Sequence, residues 1–143
     1  MQLPDANLLL YAIDDTSPHH SGALRWLEHA LSRTEPIGFT WVVLLAFLRV
    51  STRPQLFANP LTPERALDIV DSWLAQPCAI LLHPTERHPA ILRGLIEPLG
   101  TAGNIVMDAH LAGLAIEHGG EVCSADSDFG RFPGLRWTNP LQP

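Results

Sequence analysis

Four aspartates are the residues of this chain whose type and spacing could support catalysis. Asp5 closes a short strand-like segment, and Asp126 follows the segment Val122–Ala125, with Asp128 two positions later. Asp108 lies near the start of a segment with helical spacing that leads into Val122–Ala125. Because ligand sites in parallel sheets form beyond the carboxyl ends of the strands, we expect these four carboxylates to meet at one edge of a sheet.

Charge decides the chemistry that such a cluster can perform. Neighbouring carboxylates repel each other and raise each other's pKa unless a cation lies between them. Oxygen ligands without a companion His or Cys select Mg²⁺ or Mn²⁺. Such an ion activates water and stabilises phosphate oxygens, so the pattern favours metal-assisted hydrolysis of a phosphodiester. Taken singly, each aspartate could equally be a helix cap or a turn residue, and Asp128 could form a turn ahead of Phe129.

Alternating strand-like and helical segments must position these residues. The predicted strands end at Asp5 and cover Pro36–Phe39, Ala79–Leu82, Glu121–Ala125 and Leu135–Trp137. The predicted helices start after Asp5 and span residues 17–31, 40–52, 62–75, 84–99 and 104–119, with Thr40 and Asn104 as caps and a left-handed end at Gly119–Gly120. This alternation predicts an α/β fold, a three-layer α/β/α sandwich on a mainly parallel sheet, as a single domain over residues 1–143.

Composition and charge exclude several classes of protein. Hydrophobic residues make up 46% of the chain and charged residues 17%, which is typical of a globular domain. The richest apolar stretch, Trp41–Leu48, is far shorter than the roughly 18 residues of a membrane span, and no signal segment is recognisable, so we expect a cytoplasmic protein. A net charge of -6 argues against a nucleic-acid coat protein, but an enzyme can still reach nucleic acid through a bound cation.

Six segments of the sequence resemble the PIN-domain family, and in particular its VapC toxins. They are Asp5–Ala12, Trp41–Arg49, Asp108–Ala112, Ile116–Gly119, Ser124–Phe129 and Phe132–Trp137. Their order matches that of the family over nearly the whole chain. The resemblance implies a PIN fold and a metal-dependent endoribonuclease toxin of a type II toxin–antitoxin pair. It also implies Mg²⁺, with Mn²⁺ as a possible substitute, an RNA substrate, a homodimer and a cognate VapB-type antitoxin.

The resemblance also assigns the candidate site residues. By matching motif, it implies that Asp5, Asp108 and Asp126 are catalytic metal ligands and that Asp128 is a weaker fourth ligand. Many PIN nucleases carry a further glutamate on the third helix, near the position where this chain has Ala46. One fewer carboxylate puts both the affinity for metal and the number of ions in question.

Two other function classes remain open at this point. A phospho-aspartate protein, either a receiver domain or a haloacid-dehalogenase-like phosphatase, would also place an aspartate after its first strand. Both classes usually need a lysine beside the phosphate, and all nine basic residues of this chain are arginines. The second alternative is a non-catalytic PIN-like module that binds RNA or protein.

The remaining polar and aromatic residues are given mainly structural roles. His110 is predicted to point away from Asp108 and to be a surface or packing residue. Arg49 ends a buried helix, where it could meet a phosphate or cap that helix. The tryptophans are expected to be core or dimer anchors. We expect the homodimer to use the apolar surface of the early helices, which includes Leu9, Leu10, Trp26 and Trp41.

Overall fold

The computed structural model describes residues 1–143 and contains a five-stranded parallel sheet flanked by six α-helices. The strands are β1 (Gln2–Pro4), β2 (Ile37–Thr40), β3 (Ala79–Leu82), β4 (Glu121–Cys123) and β5 (Trp137–Thr138). The helices are α1 (Ala6–Ile13), α2 (His20–Ser32), α3 (Trp41–Ser51), α4 (Pro63–Leu74), α5 (His88–Ile96) and α6 (Val106–Glu117). Short 3-10 turns cover Glu97–Leu99, Gly103–Ile105 and Ser127–Arg131. The predicted α/β sandwich is confirmed.

The order of the strands puts the ends of β1 and β4 side by side. The sheet runs β3-β2-β1-β4-β5, and all four pairings are parallel. After β1 the chain builds one half of the sheet and then crosses back to build the other, so the direction of winding switches between β1 and β4. A crevice at the carboxyl ends of the strands is expected at such a switch point. Pro4 pairs with Cys123 there, immediately before Asp5 and Ser124.

A continuous apolar core fixes this arrangement. Leu3, Phe39 and Val122 of three neighbouring strands are each completely buried, as is Phe47 of α3. Trp73 of α4 is also buried and packs against both Phe39 and Phe47. Burial of side chains of this size stabilises each site by roughly 1.5–3 kcal/mol, which makes the sheet a rigid support for the residues that follow its strands.

Several predicted boundaries need correction. The fifth helix begins at His88 rather than near Pro84, because the backbone N–H of Thr85 donates to the carboxylate of Glu117 instead of opening a helix. The sixth begins at Val106, and Asn104 does not cap it, because Gly103 has a φ of 50° and starts a 3-10 turn. The side chain of Thr40 makes no capping hydrogen bond. The left-handed helix end at Gly119 is confirmed by its φ of 67°.

The apolar residues of the early helices are not all on the surface. Leu9 is completely buried in the core, so it cannot contribute to a dimer surface as predicted. Leu10 and Trp26 are partly buried, whereas Trp41 is 45% exposed and Leu45, one turn later on α3, is 57% exposed. None of the helices has both the length and the apolar character required to cross a lipid bilayer.

Candidate active site

Asp5 combines two roles, because it caps α1 and faces the end of β4. Its Oδ1 accepts a hydrogen bond from the backbone N–H of Ala6 at 2.7 Å. Its Oδ2 accepts from the hydroxyl of Ser124 at 2.7 Å and from the side-chain amide of Asn7 at 3.0 Å. Burial raises the pKa of Asp5, the hydrogen bonds from Ser124 and Ala6 partly offset this, and the charge of Asp126 raises it further.

Ser124 and Asn7 join the first motif of the chain to the last. The Ser124 hydroxyl accepts from the backbone N–H of Asp126 at 3.0 Å and from the Asn7 amide at 3.0 Å. The amide oxygen of Asn7 accepts from the backbone N–H of Ala125 at 3.3 Å. The sequence-based reasoning missed both residues as parts of the site. The available signal was their position within the two segments that resemble family motifs, each two residues from an aspartate.

All four predicted aspartates lie close enough together for their charges to affect one another. The pKa of Asp108 is raised to about 6, first by burial and then by the charges of Asp5, Asp126 and Asp128. The side chain of Asp126 accepts a hydrogen bond from the backbone N–H of Asp128 at 2.9 Å, so Asp126 caps the 3-10 turn that follows it. None of the four carboxylates forms a salt bridge with an arginine or histidine. Their negative charge is therefore not balanced by the protein.

The chemistry of this donor set fits a hard divalent cation. All four side chains offer oxygen, and their charge lacks a protein partner. No three acidic, histidine or cysteine side chains are close enough together to hold one ion between them. A cation would therefore have to draw these aspartates closer to one another, against hydrogen bonds that already engage both oxygens of Asp5.

Two clefts meet at Asp108. The larger, about 910 Å³, is bounded by Asp5 and Asp108 and has walls that are mostly aliphatic. Ala46, Arg49 and His110 also line it, so the alanine that stands in place of the family glutamate does lie beside the acidic residues. Arg49 is exposed and has no acidic partner, which favours contact with a substrate over a structural role.

The smaller cleft, about 400 Å³, shares only Asp108 with the larger one and is mostly polar. Asp128, Asn104 and Arg131 line it together with the turn Thr101–Gly103. Asp126 lines neither cleft, although its charge reaches Asp5 and Asp108. One exposed arginine therefore lines each cleft, and Asp108 borders both clefts.

A hydrogen-bonded chain of three side chains ends at the wall of the larger cleft. Glu117 Oε2 lies 2.5 Å from His88 Nδ1, and His88 Nε2 lies 2.9 Å from His110 Nδ1. Burial alone would raise the pKa of Glu117, but hydrogen bonds from Thr85 and His88 outweigh it and lower that pKa. Burial lowers the pKa of His110. His110 is half-buried and packs edge to face against His88, as expected of a packing residue, but its spacing in the sequence did not predict that contact.

Comparison with known proteins agrees with the fold and with these motifs. The family model described as the PIN domain matches residues 3–135. The chain is 52% identical to ribonuclease VapC37 of Mycobacterium tuberculosis over 140 residues, which cover 98% of this chain and 97% of that protein. It is 41% identical to ribonuclease VapC33 of Mycobacterium tuberculosis, with 99% of each protein covered.

A solved structure shares the architecture at low sequence identity. The crystal structure of VapBC2 from Rickettsia felis, bound to a DNA fragment from their promoter, contains a chain that superposes with a TM-score of 0.71 and 18% identity. The superposition covers 96% of this chain and 97% of that one. Since the family model spans most of the chain and a VapC ribonuclease is half identical to it, this protein belongs to the PIN-domain family, in the group of VapC ribonucleases.

Proposed function

We propose that this protein is a metal-dependent endoribonuclease toxin that hydrolyses RNA phosphodiester bonds at the aspartate cluster. The observation that carries the proposal is the acidic cluster itself, because Asp5 and Asp108 line one cleft, Asp108 and Asp128 line the next, and no salt bridge balances these carboxylates. Such a site is costly to keep ionised and gains most from a divalent ion. The names of the related VapC ribonucleases support RNA as the substrate.

We propose that Asp5, Asp108 and Asp126 hold the ion and that Asp128 is a weaker fourth ligand, which their mutual effect on the pKa of Asp108 supports. When bound, Mg²⁺ or Mn²⁺ would acidify a water molecule and stabilise the oxygen that leaves phosphorus. Ser124 and Asn7 orient Asp5 by donating to its Oδ2, which limits its rotation. We name Mg²⁺ first because the donors are all oxygen and because Mg²⁺ tolerates a ligand set completed by water.

The two clefts suggest how RNA crosses the site. Arg49 lies in the larger cleft and Arg131 in the smaller, with Asp108 bordering both. Guanidinium groups bind phosphates through paired hydrogen bonds, so each arginine can anchor one phosphate on its side of the scissile bond. On this proposal a protein of net charge -6 attracts RNA locally, through two arginines and a bound cation.

The similarity to VapC proteins also suggests binding partners. We propose a VapB-type antitoxin as the partner, because the related solved structure is a VapBC2 complex. We also propose a homodimer through the exposed apolar surface at Trp41 of α3, outside the larger cleft. Both partners and the RNA substrate are consistent with action in the cytoplasm. Light scattering tests the dimer, and co-purification with the product of a short upstream gene for a DNA-binding protein tests the antitoxin.

Cleavage of RNA by purified protein tests the proposed activity. We expect Mg²⁺ or Mn²⁺ to be required, a chelator to stop the reaction, and Asp108→Asn to reduce cleavage at least a hundredfold without loss of fold. Asp71→Asn, which changes an exposed aspartate of α4, is the matched control and should keep full activity. RNA binding by the wild-type protein without any metal-dependent cleavage would instead favour the non-catalytic binding module.

A further inference from the structure

The loop that follows β4, residues 124–131, carries two of the proposed metal ligands, Asp126 and Asp128. From the side of β1 and α1, hydrogen bonds with Asp5 and Asn7 hold the beginning of this loop. On the other side of β4 lies β5, a strand of only two residues at the edge of the sheet. Support for the loop on that side must therefore come from β5 and its side chains.

Trp137 of β5 holds the first peptide group of this loop. Its indole N–H donates to the carbonyl oxygen of Ser124 at 3.1 Å. The N–H of the same peptide group belongs to Ala125 and donates to the side-chain amide oxygen of Asn7 at 3.3 Å. This peptide group is therefore held at both of its polar ends, by Asn7 from α1 and by Trp137 from β5. It cannot rotate without leaving a backbone polar group unpaired.

The same indole also contacts the far end of the loop. Gly130 lies over its six-membered ring, because a Cβ atom added to Gly130 would be 3.6 Å from Cζ3 and 3.7 Å from Cε3 of Trp137. Gly130 belongs to the 3-10 turn Ser127–Arg131, which the side chain of Asp126 caps. One side chain of β5 thus touches both ends of the loop, and Asp126 and Asp128 lie between these two contacts.

The backbone on both sides of Trp137 is anchored to β4, so the indole starts from a fixed position. The backbone N–H of Val122 donates to the carbonyl oxygen of Arg136 at 3.0 Å. The backbone N–H of Ser124 donates to the carbonyl oxygen of Thr138, also at 3.0 Å. A donor that its own strand already positions can hold a functional loop in one geometry, which is how supporting residues preorganise a site.

We propose that Trp137 is a positioning residue, which sets the geometry of Asp126 and Asp128 for metal binding. It acts through its hydrogen bond to Ser124 and its contact with Gly130, and it lines neither cleft. The proposal rests on the proposed function, which supplies the metal ion. Trp137 lies beyond the segment that the PIN-domain family model matches, which ends at residue 135. Its residue type alone predicted only a core or dimer anchor.

Trp137→Phe tests the proposal, because the phenyl ring keeps an apolar surface beneath Gly130 but lacks the N–H. The carbonyl group of Ser124 would lose its donor, and metal binding would then have to order a freer loop. Calorimetric titration with Mn²⁺, without RNA, measures this cost. We expect the Kd for Mn²⁺ to rise about threefold to tenfold, the usual effect of one hydrogen bond between neutral groups.

Trp73→Phe is the matched control, because it makes the same substitution in the core and outside both clefts. Trp73 packs against Phe39 and Phe47, so this variant should have a lower Tm in chelator and an unchanged Kd for Mn²⁺. If Trp137→Phe does not fold, 3-benzothienylalanine at position 137 decides, because it replaces only the indole N–H with sulfur. Ligation of a synthetic segment at Cys123 introduces it, and the same rise in Kd is expected.

The outcomes separate failure of this proposal from failure of the proposed function. An unchanged Kd in Trp137→Phe or in the benzothienyl protein would overturn the role of Trp137. An equal rise in Kd for Trp73→Phe would also overturn it, because the effect would then follow from lost stability. If the wild-type protein binds Mn²⁺ but does not cleave RNA, the proposed function fails and the Kd values still decide on Trp137. A wild-type protein that binds no Mn²⁺ would overturn both.

Discussion

The hydroxyl of Ser124 lies 2.7 Å from Oδ2 of Asp5, although 119 positions separate the two residues in the sequence. The same hydroxyl accepts from the backbone N–H of Asp126. One small side chain therefore fixes the relative positions of two proposed metal ligands that lie on different loops. Because Ser124 is completely buried, water cannot easily take over these contacts.

Ser124→Ala should weaken both the fold and metal binding. Loss of the hydroxyl frees Asp5 to rotate and leaves the backbone N–H of Asp126 without its acceptor, at a cost of about 1–3 kcal/mol in the free energy of unfolding. We expect the metal concentration for half-maximal RNA cleavage to rise severalfold, measured alongside a thermal melt.

Ser72→Ala is the matched control for this variant. Its hydroxyl bonds only to the carbonyl oxygen of Ile69 within α4, so the substitution should leave the metal requirement unchanged. An unchanged metal requirement in Ser124→Ala would contradict the orienting role of the Ser124 hydroxyl.

The metal-free protein should lose stability as the pH rises from about 4 to about 6. Asp108 keeps its proton up to about pH 6 in the folded state, whereas its ordinary pKa is 3.8. Between these values the folded state binds more protons than the unfolded chain, so the free energy of unfolding falls with increasing pH. Below both pKa values the protonation of Asp108 no longer makes the free energy of unfolding depend on pH.

Thermal melts in chelator test this pH dependence by comparison with Asp108→Asn. Relative to that variant, the wild-type protein should lose about 2–4 °C in Tm across the window, because solvent screening reduces the full effect. Added Mg²⁺ or Mn²⁺ should restore the wild-type Tm at pH 7.5. Parallel pH profiles for the two proteins would show that the pKa of Asp108 is not raised in the folded state.

Arg49→Gln and Arg131→Gln should each weaken RNA binding and reduce its dependence on salt. If each arginine neutralises one phosphate, each substitution should lower the slope of log K against log salt by about 0.7, the value for single strands. Titration of single-stranded RNA at several salt concentrations measures this slope. Arg65→Gln on α4, outside both clefts, should leave it unchanged. A normal slope for either cleft variant would remove that arginine from the RNA path.

Ala46→Glu should tighten metal binding. Ala46 is only partly buried and lines the cleft together with Asp5 and Asp108, so a new carboxylate there can approach the ion and remain hydrated. We expect calorimetric titration to give a severalfold lower Kd for Mn²⁺, with little change in Tm once metal is present. A less stable variant that binds metal no better would mean that residue 46 does not reach the ion and that the charge is merely buried at a cost.

The sequence by itself determined the class of fold and the identity of the acidic residues. Alternating strands and helices leave few solutions other than a parallel sheet, and the carboxyl ends of its strands are the places where polar residues can meet. Asp5 and Asp126 could be selected on that rule alone. The local signals also predicted α3 and α4 closely, because their apolar spacing and flanking prolines act over only a few residues, whereas α2 begins at His20 rather than at Ser17.

Only the tertiary structure decided which side chains touch across the chain. His88 and His110 meet through the packing of α5 on α6, and Ser124 reaches Asp5 through the pairing of β4 with β1. A histidine or serine far from its partner in sequence carries no local mark of such a contact, because the contact depends on the register and rotation of whole elements. Hydrophobic spacing fixes which face of an element is buried. It does not fix which polar atoms come within hydrogen-bond distance, because that depends on how closely and at what angle those faces pack.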